Sequence, residues 1–251
     1  MIARLSGRRK EILRILSEDA GATVSQISDR LNVSTVTIRS DLEGLSENGY
    51  IIRTRGGAIP AFHPSILDRQ KTMSEGKTRI AKAAAEMVGD GDKVMIVAGT
   101  TTALIPRFLL GRRDVHIVTN STLLLPYARI NPSLHVTLVG GQFLSSGEAT
   151  VGPMALRQLE QFHVRMAFLG TDGFSLESGF TAHQVDIAEM VKHMARQAEQ
   201  SVLCADSSKY GKAGFAHILP LKEVSSIITD DQLGEQSKAE LEAEGISVSC
   251  V

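Results

Sequence analysis

Cysteine, net charge and long apolar runs are what this chain of 251 residues has little of. Its two cysteines, Cys204 and Cys250, each sit in an apolar run of strand character, which excludes a disulfide framework and a thiolate zinc spacing and points to core packing. The formal net charge is -1, so bulk electrostatics cannot drive binding to a polyanion and any such contact must be local. No apolar run is long enough to span a bilayer, and no apolar stretch follows the charge at Arg4. A membrane anchor or leader is therefore not expected, and the chain reads as soluble and cytoplasmic. His183 and His193 lack a paired metal motif, and Glu148, Asp186 and Glu189 lack a partner at a catalytic spacing. No metal and no cofactor are expected.

What is present begins at Ser34. Ile38, Leu42 and Leu45 recur at i, i+4 and i+7, which predicts a helix over 35–47 with one buried stripe, a cap at Ser34, and Thr35, Thr37, Arg39 and Ser40 mostly outside the stripe. Thr23 and Gln26 form a capping-box pattern at the start of a preceding helix that turns Ile27 and Leu31 inward. Only Asn32 and Val33 separate that helix from the Ser34 cap, a turn short enough for a helix-turn-helix. An earlier helix, about Arg8 to Glu18, would add Ile12, Leu13 and Leu16 to a shared core. After Gly49, Ile51 and Ile52 lead into Arg53 and Arg55, and Gly56-Gly57 supplies a tight turn, so a two-arginine hairpin, or wing, is expected. Residues 1–58 hold nine Arg and Lys against seven Asp and Glu. Arg4, Arg8, Arg9, Lys10 and Arg14 cluster at the front, where they could meet phosphate. A solvated strand face is the commoner fate of two surface arginines. Joined to a capped helix-turn-helix, Arg53 and Arg55 point to duplex DNA, with Arg39 on the 35–47 helix able to read a guanine edge.

Past Ala58, Pro60 and Pro64 and a polar stretch to Gly76 read as a linker over 59–76. From residue 77 the period changes. Ile80, Ala84 and Met87 suggest a helix. Apolar strands are then expected over 93–98, 115–119, 135–139, 166–170, 201–205, 225–229 and 246–250, alternating with helical segments. That alternation predicts an α/β domain over 77–251 with a mostly parallel sheet, because parallel neighbours need crossovers. Ligands in such sheets collect at the carboxyl ends of the strands. Five of these strands end in polar groups: Gly99-Thr100-Thr101-Thr102, Thr119-Asn120-Ser121, Gly140-Gly141, Asp172 and Asp206 with Lys209. Gly99 to Thr102 can offer backbone amides and hydroxyls to an anion, most simply a phosphate. Lys209 would join them on the phosphate, and Asn120 and Asp172 would read hydroxyls.

These residues resemble the DeoR group of bacterial transcriptional repressors. Val33-Ser34, Thr37-Ile38-Arg39, Asp41-Leu42, Gly49, Arg53 and Gly56-Gly57-Ala58 match its N-terminal signature, while Ser40 stands where the group usually has arginine and Arg55 where it has histidine. Operator sequence is therefore not transferable. Gly99-Thr100-Thr101, Thr119-Asn120, Gly140-Gly141, Gly152 and Asp206-Ser207-Ser208-Lys209 match its C-terminal domain, which is similar to ribose-phosphate isomerase. The stretch from Glu189 to Lys192 resembles the group's acidic-then-basic helix. The resemblance spans essentially the whole chain. It implies a homodimer or homotetramer that binds double-stranded operator DNA and senses a phosphorylated sugar or sugar alcohol, repressing a utilisation operon and performing no catalysis. The competing reading is a sugar-phosphate isomerase fused to a DNA-binding module, with Asp172, Glu189 or Asp206 as base; no second carboxylate stands beside Thr171-Asp172-Gly173 to support it.

Overall fold

The computed structural model describes residues 5–19 and 21–251; the expectation for Arg4 lies outside them. The chain divides into two compact units, one ending at Thr72 and the other running from Met73 to Val251.

The first unit contains α1 (Gly7–Glu18), α2 (Val24–Leu31), α3 (Thr35–Glu47), β1 (Ile51–Thr54), β2 (Gly57–Pro60) and α4 (Pro64–Lys71). The Thr23 amide donates to Gln26 Oε1 at 2.8 Å and the Gln26 amide to Thr23 Oγ1 at 3.3 Å, closing the expected capping box. Ser34 caps α3 through the Thr37 amide at 3.1 Å. Ile12, Leu16, Ile27, Ile38, Leu42 and Leu45 are fully buried together, so the three helical stripes do share one core. β1 and β2 pair antiparallel around Arg55 and Gly56. Gly56 takes the turn at φ +85°, a conformation that costs glycine little. Gly57 instead opens β2, where a Cβ would come within 2.8 Å of the Ala22 carbonyl oxygen, so its smallness lets the wing close on the start of α2.

The expected linker over 59–76 is corrected here. Residues 64–71 form α4, with Ile66 and Leu67 buried and Leu67 packed into the first core; Ser74 to Gly76 already belong to a helix of the second unit. Two prolines read as punctuation because one of them, Pro64, occupies the first turn of a helix, where its missing N–H is no loss.

The second unit contains α5 (Ser74–Glu86), β3 (Lys93–Ile96), β4 (Val115–Thr119), α6 (Leu125–Ala128), β5 (Leu134–Leu138), β6 (Gln142–Leu144), β7 (Ala149–Val151), α7 (Pro153–Leu159), β8 (Val164–Leu169), β9 (Gly173–Ser175), β10 (Gly179–Ala182), α8 (Val185–Arg196), β11 (Ala198–Cys204), β12 (Ala216–Leu219), β13 (Ser226–Thr229), α9 (Glu235–Ala243) and β14 (Ser247–Cys250). Seven strands form one parallel sheet in the order β14-β13-β11-β8-β3-β4-β5. Met95 and Val97 face a core that includes Ala155, Met190 and Met194 from α7 and α8. Strand alternation turns the buried Val94 and Ile96 to the other face. Two small antiparallel additions, β6-β7 and β12-β10-β9, went unpredicted because strands of three or four residues are too short to show a period. Met87, read with Ile80 and Ala84 as part of a helix, falls at the α5 cap and is 37% exposed. Cys204 is buried, with its thiol pushed up by that burial, as core packing requires.

The winding places the site. β3 comes first, β4 and β5 extend the sheet one way, and β8, β11, β13 and β14 extend it the other. The carboxyl ends of β3 and β8 therefore flank the point where strand order reverses, where open α/β sheets leave a crevice.

Candidate functional site

Asp41 shapes the first unit's exposed surface in a way the sequence did not reveal. It is 4% exposed, and its carboxylate accepts from Arg8 Nε and from Arg9 Nε, the latter at 3.0 Å. Burial pushes this carboxyl up, but the bonds from the two arginines outweigh it and hold it below the ordinary carboxylate range. Arg14 is bound to Glu11 and Glu18. The front cluster expected to meet phosphate is thus largely committed: Arg8 and Arg9 orient α1 against α3, and Arg14 closes pairs along its own helix. A depressed folded value means stabilisation that is present above the unfolded carboxylate value and lost as pH falls through the folded one. Circular dichroism at decreasing pH is expected to show the first unit weakening below about pH 4, and Asp41→Asn should flatten that dependence. An acid profile unchanged in the variant would contradict the assignment.

On α3, Arg39 and Ser40 are exposed, Thr35 and Thr37 are half-buried, and the Ser34 and Thr37 hydroxyls hydrogen-bond each other at 2.9 Å. Val36 was missed. It is 71% exposed on the first turn of α3, and the available signal was an apolar residue lying off the buried stripe. Arg53 and Arg55 are exposed on the wing, and among the described residues neither they nor Arg39 meet a carboxylate. The helix and wing therefore expose hydroxyls, the apolar Val36 and Ile52, and three guanidinium groups that meet no carboxylate among the described residues.

In the second unit β11, β8, β3 and β4 are consecutive neighbours, so the loops leaving their carboxyl ends share one edge within about 14 Å, three strand spacings. The residues expected there fall into two sets. One set is spent on the fold. Thr102 is buried and donates to the Val97 carbonyl at 2.7 Å. Thr119 donates to Ile96 O. Asn120, fully buried, accepts from the Ala98 amide at 2.8 Å and donates to Thr150 O at 3.1 Å. Asn120 is therefore a clamp between the β3 loop and β7 rather than a reader of hydroxyls, and Thr102 holds its own turn. Asp206 is 1% exposed, 3.7 Å from the equally buried Lys77 Nζ, and accepts from Ser208 Oγ. The Gly140 amide and carbonyl are latched by Gln158 at 2.9 and 3.3 Å. A Cβ on Gly141 would fall 2.5 Å from Val151 O, so this glycine serves close packing of the β6-β7 hairpin.

The other set is unspent. The amides of Gly99, Thr100 and Thr101 and the hydroxyls of Thr100 and Thr101 have no hydrogen-bond partner among the described residues. Ser121 Oγ is buried and unpartnered at the end of β4. Lys209, half-exposed, forms no ion pair among the described residues. Asp172 gives one carboxylate oxygen to the His183 amide at 2.9 Å and is otherwise open. Glu189 and Lys192 do not leave a strand end; they lie along α8, where Glu189 sits 3.9 Å from His193 Nδ1. Lys77 is the residue that sequence reading missed outright.

Both units match families of known proteins. Residues 8–61 match the DeoR-like helix-turn-helix domain, and residues 72–231 match the DeoR C terminal sensor domain. The chain is 35% identical to the HTH-type transcriptional regulator GlpR of Haloferax volcanii, covering 96% of each. It is 37% identical to the HTH-type transcriptional repressor GlcR of Bacillus subtilis, covering 87% of this chain and 86% of that one. It is 30% identical to the HTH-type transcriptional repressor CsqR of Escherichia coli, covering 96% and 94%. A ribose 5-phosphate isomerase from Methanocaldococcus jannaschii overlaps 55% of each chain at 20% identity and a TM-score of 0.41.

Proposed function

Since the chain belongs to the DeoR family of transcriptional regulators, we propose that it represses a sugar or sugar-alcohol utilisation operon and releases its operator when a phosphorylated sugar binds the second unit. The observation that carries the effector half is the unspent set. Three backbone amides, the Thr100 and Thr101 hydroxyls, the buried Ser121 hydroxyl and the Lys209 ammonium supply donors and positive charge with no acceptor of their own among the described residues. That is the complement of a phosphate. Asp172, whose second carboxylate oxygen has no hydrogen-bond partner among the described residues, suits a sugar hydroxyl.

The DNA half rests on α3 in the major groove, with Thr35, Val36, Arg39 and Ser40 toward base edges, Ser34 and Thr37 shaping the helix start, and Arg53 and Arg55 on phosphate or the minor groove. Val36 adds an apolar contact of the kind a thymine methyl accepts. Symmetric half-sites favour a homodimer or homotetramer, and a role on operator DNA favours the cytoplasm. No described helix is long and apolar enough to cross a membrane.

The isomerase reading needs a carboxylate free to take a proton from substrate. Asp206 is buried against Lys77 and Ser208, Asp172 is partly engaged by an amide, and Glu189 lies along a helix, which favours the regulator.

Thr101→Val tests the sensor. A panel of pentose, hexose and polyol phosphates is screened by thermal shift, since a ligand of the folded state raises apparent stability. The active compound is then titrated against operator-bound protein. The variant is expected to lose about tenfold in effector affinity, roughly 1.4 kcal/mol, with apo operator binding unchanged. Release retained at wild-type concentrations would remove the turn from the site, and a panel in which no phosphosugar shifts melting while one is turned over would favour the enzyme.

A further inference from the structure

Asp114, His116 and His135 bring one carboxylate and two imidazoles together on the surface of the second unit, at the end of the sheet opposite the effector loops. The gathering is made by strand register. His116 is the second residue of β4 and His135 the second of β5, and the parallel ladder sets them directly opposite each other. Their rings stack with centroids 4.5 Å apart and 24° between planes. Asp114, two residues before His116, takes a backbone φ of +57° that few non-glycine residues adopt. Its Oδ1 lies 3.4 Å from Nε2 of each histidine.

From this geometry we propose a surface site for a divalent first-row transition ion of the zinc class, held by Asp114 Oδ1 and the two Nε2 atoms. A tetrahedral ion with bonds of about 2.0–2.1 Å sets its ligand atoms roughly 3.3–3.4 Å apart. Two of the three edges already have that length, and all three atoms lie within 4.8 Å of one another; the third edge closes when the exposed rings turn out of their stack so that both in-plane Nε2 lone pairs converge on the ion. Two imidazoles and one carboxylate select zinc, cobalt, nickel or copper over magnesium or calcium, which favour all-oxygen shells. All three residues are exposed, leaving a coordination position for water. The ion would tie β5, the last strand of the sheet, to β4. Nearby positive charge opposes it: Lys93 sits across from His116 on β3 and is exposed, and Arg112 lies two residues before Asp114. Arg113 is paired with Asp90.

The full chain, stripped with chelator, is titrated with CoCl2 by visible absorption and with ZnCl2 by calorimetry. One ion per chain is expected, with the intense visible bands of tetrahedral cobalt. His116→Gln and His135→Gln should each weaken binding by on the order of tenfold or more, the scale on which even outer partners of a metal site act. Asp114→Asn should weaken it and Lys93→Gln should tighten it. Far-ultraviolet dichroism and melting without metal should match wild type for all four. Wild-type affinity and stoichiometry in both histidine variants, or affinity indifferent to Lys93→Gln, would place any bound metal elsewhere and overturn the proposal, as would no binding at millimolar ZnCl2.

Discussion

Lys77→Met is expected to destabilise the second unit by about 3–5 kcal/mol, the cost of leaving one member of a buried ion pair uncompensated. Lys77 is 3% exposed and Asp206 1%, with 3.7 Å between charges. Methionine fills much of the same volume, so lost packing contributes little and the effect reports the stranded carboxylate. The Ser208 hydroxyl would remain on it by hydrogen bond. The nearby Asp230, also buried and accepting from the Ser207 amide and hydroxyl, both at 2.8 Å, is a second carboxylate and offers no compensating charge. Lys77→Met/Asp206→Leu should recover most of the loss, because removing both charges of a buried pair is often neutral or stabilising. Urea unfolding followed in the second unit measures both variants. A single variant within about 1 kcal/mol of wild type, the size of an exposed pair, would show that the pair is solvated. The function is also exposed to this change: Asp206 opens the loop that carries Lys209, so the single variant should bind phosphosugar more weakly even where it stays folded.

The same lysine shows where sequence reading stops. A lysine on a helix reads as part of a solvated face, and only the fold reveals that α5 buries its first turn against the loops after β11 and β13, with Gly76 lying beside Asp230. Elements whose cause is local were legible. Val115–Thr119 is a strand in sequence pattern and in space, and the Thr23–Gln26 box and Ser34 cap were written in adjacent residues. What required the third dimension was the use of each polar group. Thr100, Thr101 and Thr102 look alike in sequence, yet Thr102 alone turns back onto Val97. Asn120 carries the same side chain whether it reads a ligand or clamps Ala98 and Thr150, and the backbone groups opposite it settle the use. Arg8 and Arg9 likewise read as free charge until Asp41 is found beneath them.

Arg39→Ala is expected to cost about 1–3 kcal/mol on the operator and to loosen base preference there, the scale of one bidentate contact to a guanine edge. Three observations lead to that expectation. Arg39 lies in the second turn of α3, within the N-terminal half from which such helices reach base edges. Its side chain is exposed, so truncation leaves the Ile38, Leu42 and Leu45 core intact and melting should not move. Unlike Arg8, Arg9 and Arg14, it meets no carboxylate among the described residues, and its full donor set is available to DNA. Arg39→Lys should recover little, because a lysine cannot make the paired hydrogen bonds of a planar guanidinium. Arg53→Ala should behave differently. A wing arginine on phosphate contributes equally to every sequence, so its loss weakens operator and scrambled duplex alike and lowers the slope of log affinity against log salt by about 1. Titrating both variants against both duplexes at several salt concentrations separates the roles. Equal losses on operator and scrambled DNA for Arg39→Ala, accompanied by a reduced salt slope, would reassign Arg39 to the backbone and leave Val36, Thr35 and Ser40 to carry whatever discrimination α3 provides.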